Sequence, residues 1–437
     1  MDKYFIQEML VKGLWGYKDL DLKFYRDVNI IIGPNASGKT TILNILRYIF
    51  TVDILNLGNI DFDEVEIKLK SFTDSSLRTI KVVRNDGFFS FFVSKQKFDI
   101  KIEHLQDLLD VRERRFRERR LRQQKQYQNL VETVKELINA VWLPVSRRLP
   151  IQSDEESEIA YKSEIAYIRR PALMELESVD VRLRELVIEM VTYRLKLEAK
   201  IAEMYKEFEK SVLQMILYSK ELDRLGSLQL DLPSQEDKNQ LIRAFDVAGL
   251  LDKQMETRID EHFSIAQGAL EQLRRSASKE SQELDVNTIL IIPLIGRTKA
   301  IIGYARKLDE ERNKLFDPLR KFELIVNSFL NDKTVSIDDN GNLTINSIPA
   351  ENEIRLEHLS SGEKQLLILL IQALLWEDLP VVYVADEPEL SLHVSWQEKL
   401  LNSLLELARN IQIIVATHSP DIVGPYVEKI IDLGENS

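Results

Sequence analysis

The chain has 437 residues, enough for two or three domains that each bury an apolar core. It has no cysteine and only five histidines, none at metal-ligand spacing, which excludes disulfides, thiolate metal sites and a cysteine nucleophile. A net charge of −12 excludes a uniformly basic protein that coats nucleic acid. The sequence shows neither a signal-peptide pattern nor an apolar run long enough to cross a bilayer, so we expect a cytoplasmic protein without a membrane segment.

Residues 1–105 contain several strand patterns around one strand–loop–helix unit. Apolar and polar residues alternate over Phe5–Val11 and Asp19–Phe24, and the short apolar run Val28–Ile32 stops at a glycine. Further alternation between 65 and 93 predicts more strands, with a hairpin turn at Asn85–Gly87. We therefore expect a first lobe that is rich in β-strands.

Residues 106–330 have the composition and periodicity of a helical insertion. From Leu176 to Phe208 the apolar residues recur at alternating steps of three and four, with one additional step of four, which predicts a coiled-coil seam. Further helical stretches cover 236–283 and 297–330, and three helices in a compact bundle are the alternative arrangement.

Two shorter features lie within this insertion. The segment Arg112–Arg122 contains seven arginines and two glutamates, so a helix over 111–125 would be positively charged on nearly every side. Such a helix is either a solvated surface or a docking site for nucleic-acid phosphates or an acidic protein. A strand is expected near 141–148.

Residues 331–437 predict a second lobe of a different kind. Strand patterns at Thr334–Ile337 and Asn342–Ile345 come first, and helices then alternate with apolar strands. This alternation is typical of a parallel sheet covered by helices, so the fold class is α/β.

The segment Gly33–Thr40 matches the phosphate-binding loop pattern in full and lies between an apolar strand and a helix. Its glycines let backbone N–H groups surround phosphate oxygens, and the helix N-terminus adds its dipole. In this pattern Lys39 reaches the outer phosphates and the Thr40 hydroxyl ligates Mg²⁺. The residues predicted to bind the nucleotide here are Gly33, Pro34, Asn35, Ala36, Ser37, Gly38, Lys39, Thr40 and Thr41.

A second motif, a pair of acidic residues, follows the apolar segment Leu379–Ala385. Asp386 is placed to hold Mg²⁺ through water, and Glu387 is placed to polarise the attacking water. An ordinary acidic strand end is the plainer interpretation of this pair.

A third motif lies shortly before this acidic pair. The segment Leu359–Gln365 opens a long apolar helix and could be either a second phosphate-binding helix end or a simple helix cap.

Together these motifs resemble the ABC-type ATPases of the SMC, Rad50, RecF and OLD group. Gly33–Thr40 matches their Walker A loop, Leu359–Gln365 their signature, Asp386–Glu387 their Walker B pair, Pro388–His393 their D-loop, and Ala416–Pro420 the segment with their switch histidine. The resemblance implies an ATPase head, made of a mixed β lobe and a parallel-sheet core, with a coiled-coil insertion. It also implies ATP and Mg²⁺ as cofactors, and Glu387 and His418 as catalytic residues.

In that group two heads face each other head to tail. The resemblance therefore implies a homo-oligomer built from such dimers, with higher orders such as a trimer of dimers also open. The residues that would contact the phosphate held by Lys39 of the neighbouring subunit are Ser360, Ser361, Gly362 and Glu363.

Within the group, the segments 389–393 and 417–420 look most like OLD-type ATPases. The segment Trp142–Arg148 resembles the element that precedes the helical insertion in the stand-alone ATPase subunits of anti-phage systems, first PARIS and then Septu. OLD-type proteins often carry a Toprim nuclease, but this sequence ends soon after His418. We therefore expect no intrinsic nuclease, a separate effector such as a Toprim-type nuclease, and a phage-encoded trigger. The alternative is a RecF- or Rad50-like clamp for DNA repair.

Overall fold

The computed structural model describes residues 3–101, 117–143, 178–215, 217, 234–247, 251–277, 286–338 and 340–434. The chain divides into two compact units. The head unit comprises Met1–Met190 and Lys321–Ser437, and the insertion unit comprises Val191–Arg320.

The secondary structure of the described residues alternates between strands and helices at both ends of the chain. The strands are β1 (Tyr4–Leu14), β2 (Lys18–Lys23), β3 (Val28–Ile32), β4 (Glu64–Ser71), β5 (Leu77–Asn85), β6 (Phe88–Val93), β7 (Gln96–Lys101), β8 (Ala140–Leu143), β9 (Lys333–Ile337), β10 (Leu343–Ser347), β11 (Val381–Asp386), β12 (Ile411–Ala416) and β13 (Ile430–Asp432). The helices are α1 (Lys39–Phe50), α2 (Ile54–Gly58), α3 (Arg117–Leu137), α4 (Ser178–Gln214), α5 (Gln235–Val247), α6 (Lys253–Ala277), α7 (Val286–Phe329), α8 (Ser361–Leu375), α9 (Val394–Leu407) and α10 (Pro420–Val423). In the part of the chain that the structure describes, no helix is both long and apolar enough to cross a membrane.

The head unit contains an antiparallel and a parallel sheet. The antiparallel sheet has the order β2-β1-β4-β5-β6-β7, and β4 alternates between buried and half-buried residues because only one of its faces is covered. The parallel sheet has the order β13-β3-β12-β11-β8, and every residue of β12 is buried because both faces are covered. The hairpin β9–β10 forms a small separate sheet. The α/β class predicted from the sequence is confirmed.

Helix α1 and the two sheets share one apolar cluster, which includes Ile45 of α1, Met9 of β1 and Val384 of β11. A buried amide also ties the sheets together. Gln412 of β12 accepts a hydrogen bond from the Ile6 N–H at 2.8 Å and donates one to the Ile6 carbonyl at 2.7 Å. The two sheets and α1 therefore share one core, and α1 follows directly from the loop after β3.

The head unit includes α3 and β8, two elements that lie within the insertion predicted from the sequence over residues 106–330. β8 pairs in parallel with β11, and Leu130 and Val134 of α3 and Ile138 directly after it are buried in the apolar cluster of the head. The predicted strand near 141–148 is β8, and residues 144–148 lie outside the described part. The predicted basic helix is described only from Arg117 onwards.

In the insertion unit, α4 and α7 run antiparallel to each other. Phe208 of α4 packs against Ala305 and Leu308 of α7. Towards one end Arg194 stacks over the Phe316 ring at 4.4 Å, and towards the other Arg297 Nε donates to the Met215 carbonyl at 2.7 Å. The apolar seam predicted along α4 therefore faces a second helix.

The helices between α4 and α7 differ from the sequence prediction. The stretch predicted over 236–283 is two helices, because the Asp252 carboxylate caps a new helix by accepting a hydrogen bond from the Met255 N–H at 2.6 Å. The stretch predicted from 297 begins at Val286, and Pro293 lies inside it. In α6, Ile259 and Phe263 pack against Ile302 of α7.

Candidate functional site

The loop between β3 and α1 depends on two glycines. Gly33 has φ +150° and Gly38 has φ +104°, a region that favours glycine. A Cβ on Gly33 would lie 2.7 Å from Ser37 Oγ, and one on Gly38 would lie 2.9 Å from the Trp15 ring. No larger residue fits either position without a shift of its neighbours.

Lys39 and Ser37 supply polar groups inside this loop. The Lys39 ammonium donates to the carbonyls of Gly33 at 2.8 Å and Pro34 at 3.2 Å, and the side chain is 8% exposed. Ser37 Oγ is buried without a hydrogen-bond partner among the described residues. A buried hydroxyl without a partner and a cation at a helix N-terminus are suited to phosphate oxygens, so these residues fit a nucleotide.

Asp386, the last residue of β11, lies against the start of α1. Its carboxylate accepts a hydrogen bond from the Thr40 hydroxyl. Burial raises the pKa of Asp386, although the Thr40 hydrogen bond and the charges of Lys39 and His418 oppose that shift. The two residues that the sequence assigned to Mg²⁺ are therefore neighbours, even though they come from opposite ends of the chain.

Glu387 has an unusual backbone at the end of β11. Its φ is +48°, which is uncommon for a residue other than glycine, and its N–H donates to the Ala416 carbonyl at 2.8 Å. This bond fixes the turn next to the end of β12, where His418 follows. Backbone strain of this kind is typical of functional sites.

His418 is exposed, and the D-loop holds its backbone. The His418 N–H donates to Glu389 Oε1 at 3.2 Å, and the Thr417 hydroxyl donates to the same oxygen. The Glu389 charge also acts on Asp386. Lys39, Asp386, Glu389 and His418 thus form one electrostatic group.

The signature residues begin helix α8. Ser360 Oγ accepts the Glu363 N–H at 3.3 Å while Glu363 Oε2 accepts the Ser360 N–H at 2.8 Å, a reciprocal capping box. Burial would raise the pKa of Glu363, but hydrogen bonds from Lys333 and Ser360 outweigh it and hold that pKa below its ordinary value. A Cβ on Gly362 would lie 2.5 Å from the Ser391 carbonyl oxygen, so α8 starts directly against the D-loop.

The structure separates the predicted site residues into two groups. The Walker A loop, Asp386, Glu387 and His418 surround one region, whereas Ser360, Ser361, Gly362 and Glu363 lie at the start of α8. Within the described residues, no hydrogen bond or ion pair joins the second group to Gly33–Thr41.

The sequence did not assign a role to two residues that contact this site. Glu389 lies in the D-loop segment, but only the folded chain shows that it binds Thr417 and His418. Trp15 lies against Gly38, and nothing in the sequence between β1 and β2 connects that turn with the loop.

The model of the family described as "AAA ATPase domain" matches residues 5–423. The chain belongs to this ATPase family. With the order of its motifs, it is an ABC-type ATPase of the SMC and Rad50 kind.

Among curated proteins, the ATPase is similar to the Septu protein PtuA of Bacillus thuringiensis, with 33% identity over 84 residues. The match covers 18% of this chain and 21% of the relative, about a fifth of its length.

Among solved structures, the chain is similar to two archaeal Smc head domains. The head from Pyrococcus furiosus, bound to the C-terminal domain of ScpA, has 16% identity and a TM-score of 0.42, with 98% of this chain and 93% of that one covered. The head from Pyrococcus yayanosii has 15% identity and a TM-score of 0.40, with 98% and 95% covered.

Proposed function

We propose that the ATPase binds ATP with Mg²⁺ in the Walker A loop and hydrolyses it with Glu387 as the residue that orients the attacking water. The observation that supports this proposal is the Thr40–Asp386 hydrogen bond, because it brings the two expected metal ligands together. Bound Mg²⁺ would neutralise charge on the phosphates. Lys39 would bind the outer phosphates, and His418 would sense the γ-phosphate.

We further propose that a second copy of the chain completes the site. Ser360 and Ser361 are exposed at the positive end of α8, which suits an anion, and among the described residues no hydrogen bond or ion pair joins them to the loop of their own chain. A head-to-tail dimer would place them on the neighbour's nucleotide. Dimers of this kind can also assemble into larger oligomers, such as a trimer of dimers.

The physiological role we propose is in cytoplasmic anti-phage defence. The partial match to Septu PtuA and the OLD-like segments at 389–393 and 417–420 support it. In this role the ATPase holds a separate effector, such as a Toprim-type nuclease, and releases it when a phage-encoded trigger arrives. The helix pair α4–α7 would act as a coiled coil that transmits head movement, and the segment Arg112–Arg122 would dock nucleic acid or an acidic protein.

The experiment is co-purification of the ATPase with the product of a neighbouring gene. We expect a stable complex with ATP and Mg²⁺, no cleavage of DNA or RNA by the ATPase alone, and release of the partner that requires both a trigger and an intact Glu387. Glu387→Gln is the matched control and should keep the complex. Nucleic-acid cleavage by the pure chain, or ATPase activity that rises with DNA ends in the absence of any protein partner, would contradict the proposal.

A further inference from the structure

Glu389 makes an unusual set of contacts at the end of β12. One of its oxygens, Oε1, accepts hydrogen bonds from the Thr417 hydroxyl and from the His418 N–H. The Thr417 oxygen in turn accepts the Ser419 N–H at 2.8 Å. A single carboxylate oxygen therefore fixes the backbone of three consecutive residues that include the switch histidine.

The other oxygen of Glu389 points to a functional rather than a purely stabilising role. Oε2 is buried and has no hydrogen-bond partner among the described residues. An unpartnered buried carboxylate oxygen reduces stability, and so does the like charge of Asp386 nearby. A side chain kept at both of these costs serves more than stability, and the contacts that it makes are the two hydrogen bonds at Oε1.

The D-loop that carries Glu389 also contacts the start of the signature helix. Gly362 lies against the Ser391 carbonyl, and a Cβ there would approach to 2.5 Å. At the far end of the D-loop, Gln397 Nε2 donates to the Leu392 carbonyl at 3.1 Å, and its Oε1 accepts from Ser419 Oγ at 2.6 Å. The segment is thus held between the signature and the loop of His418.

We propose that Glu389 is a positioning residue that holds His418 in place for the nucleotide, acting through hydrogen bonds from Thr417 and the His418 backbone to Oε1. The inference rests on the proposed ATPase function of this site. It assigns the effect to the acceptor geometry of Oε1 and not to the negative charge of the side chain.

The kinetic test compares Glu389→Ala with Glu389→Gln. Alanine removes the acceptor, so we expect kcat to fall at least ~10-fold while KM for ATP stays within about twofold. Glutamine keeps an acceptor oxygen without the charge, so kcat should stay within about threefold of the wild type. A Glu389→Gln variant as impaired as Glu389→Ala would overturn the proposal, because charge would then be the property that matters.

Thr417 provides an independent pair of variants. Thr417→Ser keeps the hydroxyl that donates to Glu389, whereas Thr417→Val removes it at nearly equal volume. We expect valine to lower kcat and serine to retain it. Equal activity of the two variants would count against the proposed network.

Hydrogen exchange of the protein without nucleotide tests the positioning directly. Glu389→Ala should raise the exchange rate of the His418 and Ser419 amides by about tenfold or more, because these amides bond to Glu389 and to the Thr417 oxygen. Glu389→Gln should keep the wild-type rate. Glu398→Ala, at an exposed position on α9, is the control and should change nothing. Unchanged exchange in Glu389→Ala would overturn this inference alone, whereas a wild-type protein that hydrolyses no ATP would contradict the proposed function instead.

Discussion

Lys364 and Asp180 form an ion pair at 2.8 Å in which the two side chains are only 10% and 12% exposed. The pair joins the first turn of the signature helix α8 to the first turn of α4. A cation near a helix N-terminus is unfavourable by itself, and the Asp180 carboxylate offsets it. A second ion pair, Arg184–Glu357, joins the same two regions.

We predict that Asp180→Ala destabilises the protein by about 3–5 kcal/mol, because it leaves the Lys364 ammonium buried without a partner. Thermal or denaturant unfolding measures the effect. Glu185→Ala, which removes an exposed pair with Arg182 on the same helix, is the control and should cost less than about 1 kcal/mol. Similar losses for the two variants would show that the buried pair has no special importance.

Gly362→Ala should damage the ATPase site. The added Cβ would approach the Ser391 carbonyl oxygen to 2.5 Å, so either the D-loop or α8 must move. We expect a loss of ATP turnover of ~10-fold or more. Gly303→Ala in α7 is the control: its Cβ would have no neighbour within 4 Å, and the protein should gain roughly 0.5–1 kcal/mol in stability. Normal turnover in Gly362→Ala would contradict the close packing.

The sequence predicted the elements that have a local signal. The apolar alternation, the glycines of the loop and the serine cap of α8 each specify structure over a few residues, so the strands, the Walker A turn and the start of the signature helix are where the patterns placed them. The Walker B strand was predicted in the same way, because β11 is an apolar run that ends at Asp386.

What the sequence could not predict are contacts between distant segments. The assignment of β8 to the head depends on its pairing with β11, and the Asp180–Lys364 pair depends on how α4 meets α8. The break between α5 and α6 was missed because it depends on a single aspartate cap at Asp252. The hydrogen bonds of Glu389 have no local pattern either, since their donors Thr417 and His418 follow β12, 28 and 29 residues further along the chain.

His262 predicts a pH dependence of stability. It is half-buried with Nε2 2.7 Å from the Thr298 hydroxyl oxygen, and burial lowers its pKa below 6.5. The unfolded chain therefore binds a proton in a pH range where the folded chain does not. The free energy of unfolding should fall as the pH drops below about 6.5, and His262→Gln should remove this component. Equal pH profiles of the variant and the wild type between about pH 5 and 7 would contradict it.

Subunit mixing tests the shared site. Lys39→Ala lacks the phosphate-binding lysine and Ser360→Arg blocks the signature, so each homodimer should be inactive. A mixed dimer retains one site with both Lys39 and Ser360 intact. Random exchange in an equal mixture makes half of the dimers mixed, so ATP turnover should return to about a quarter of the wild-type rate. Mixtures that exchange subunits yet show no recovery would exclude a site built from two chains.

The nucleotide that each variant retains tests the assigned site most directly. We propose incubation of each protein with radiolabelled ATP and Mg²⁺, rapid removal of free nucleotide, and chromatography of what stays bound. The wild type should retain ADP, Glu387→Gln should retain ATP because hydrolysis is slowed at least ~10²-fold, and Lys39→Ala should retain neither. Nucleotide retained by Lys39→Ala in the same amount as by the wild type, or ADP retained by Glu387→Gln as by the wild type, would contradict the assignment of this site.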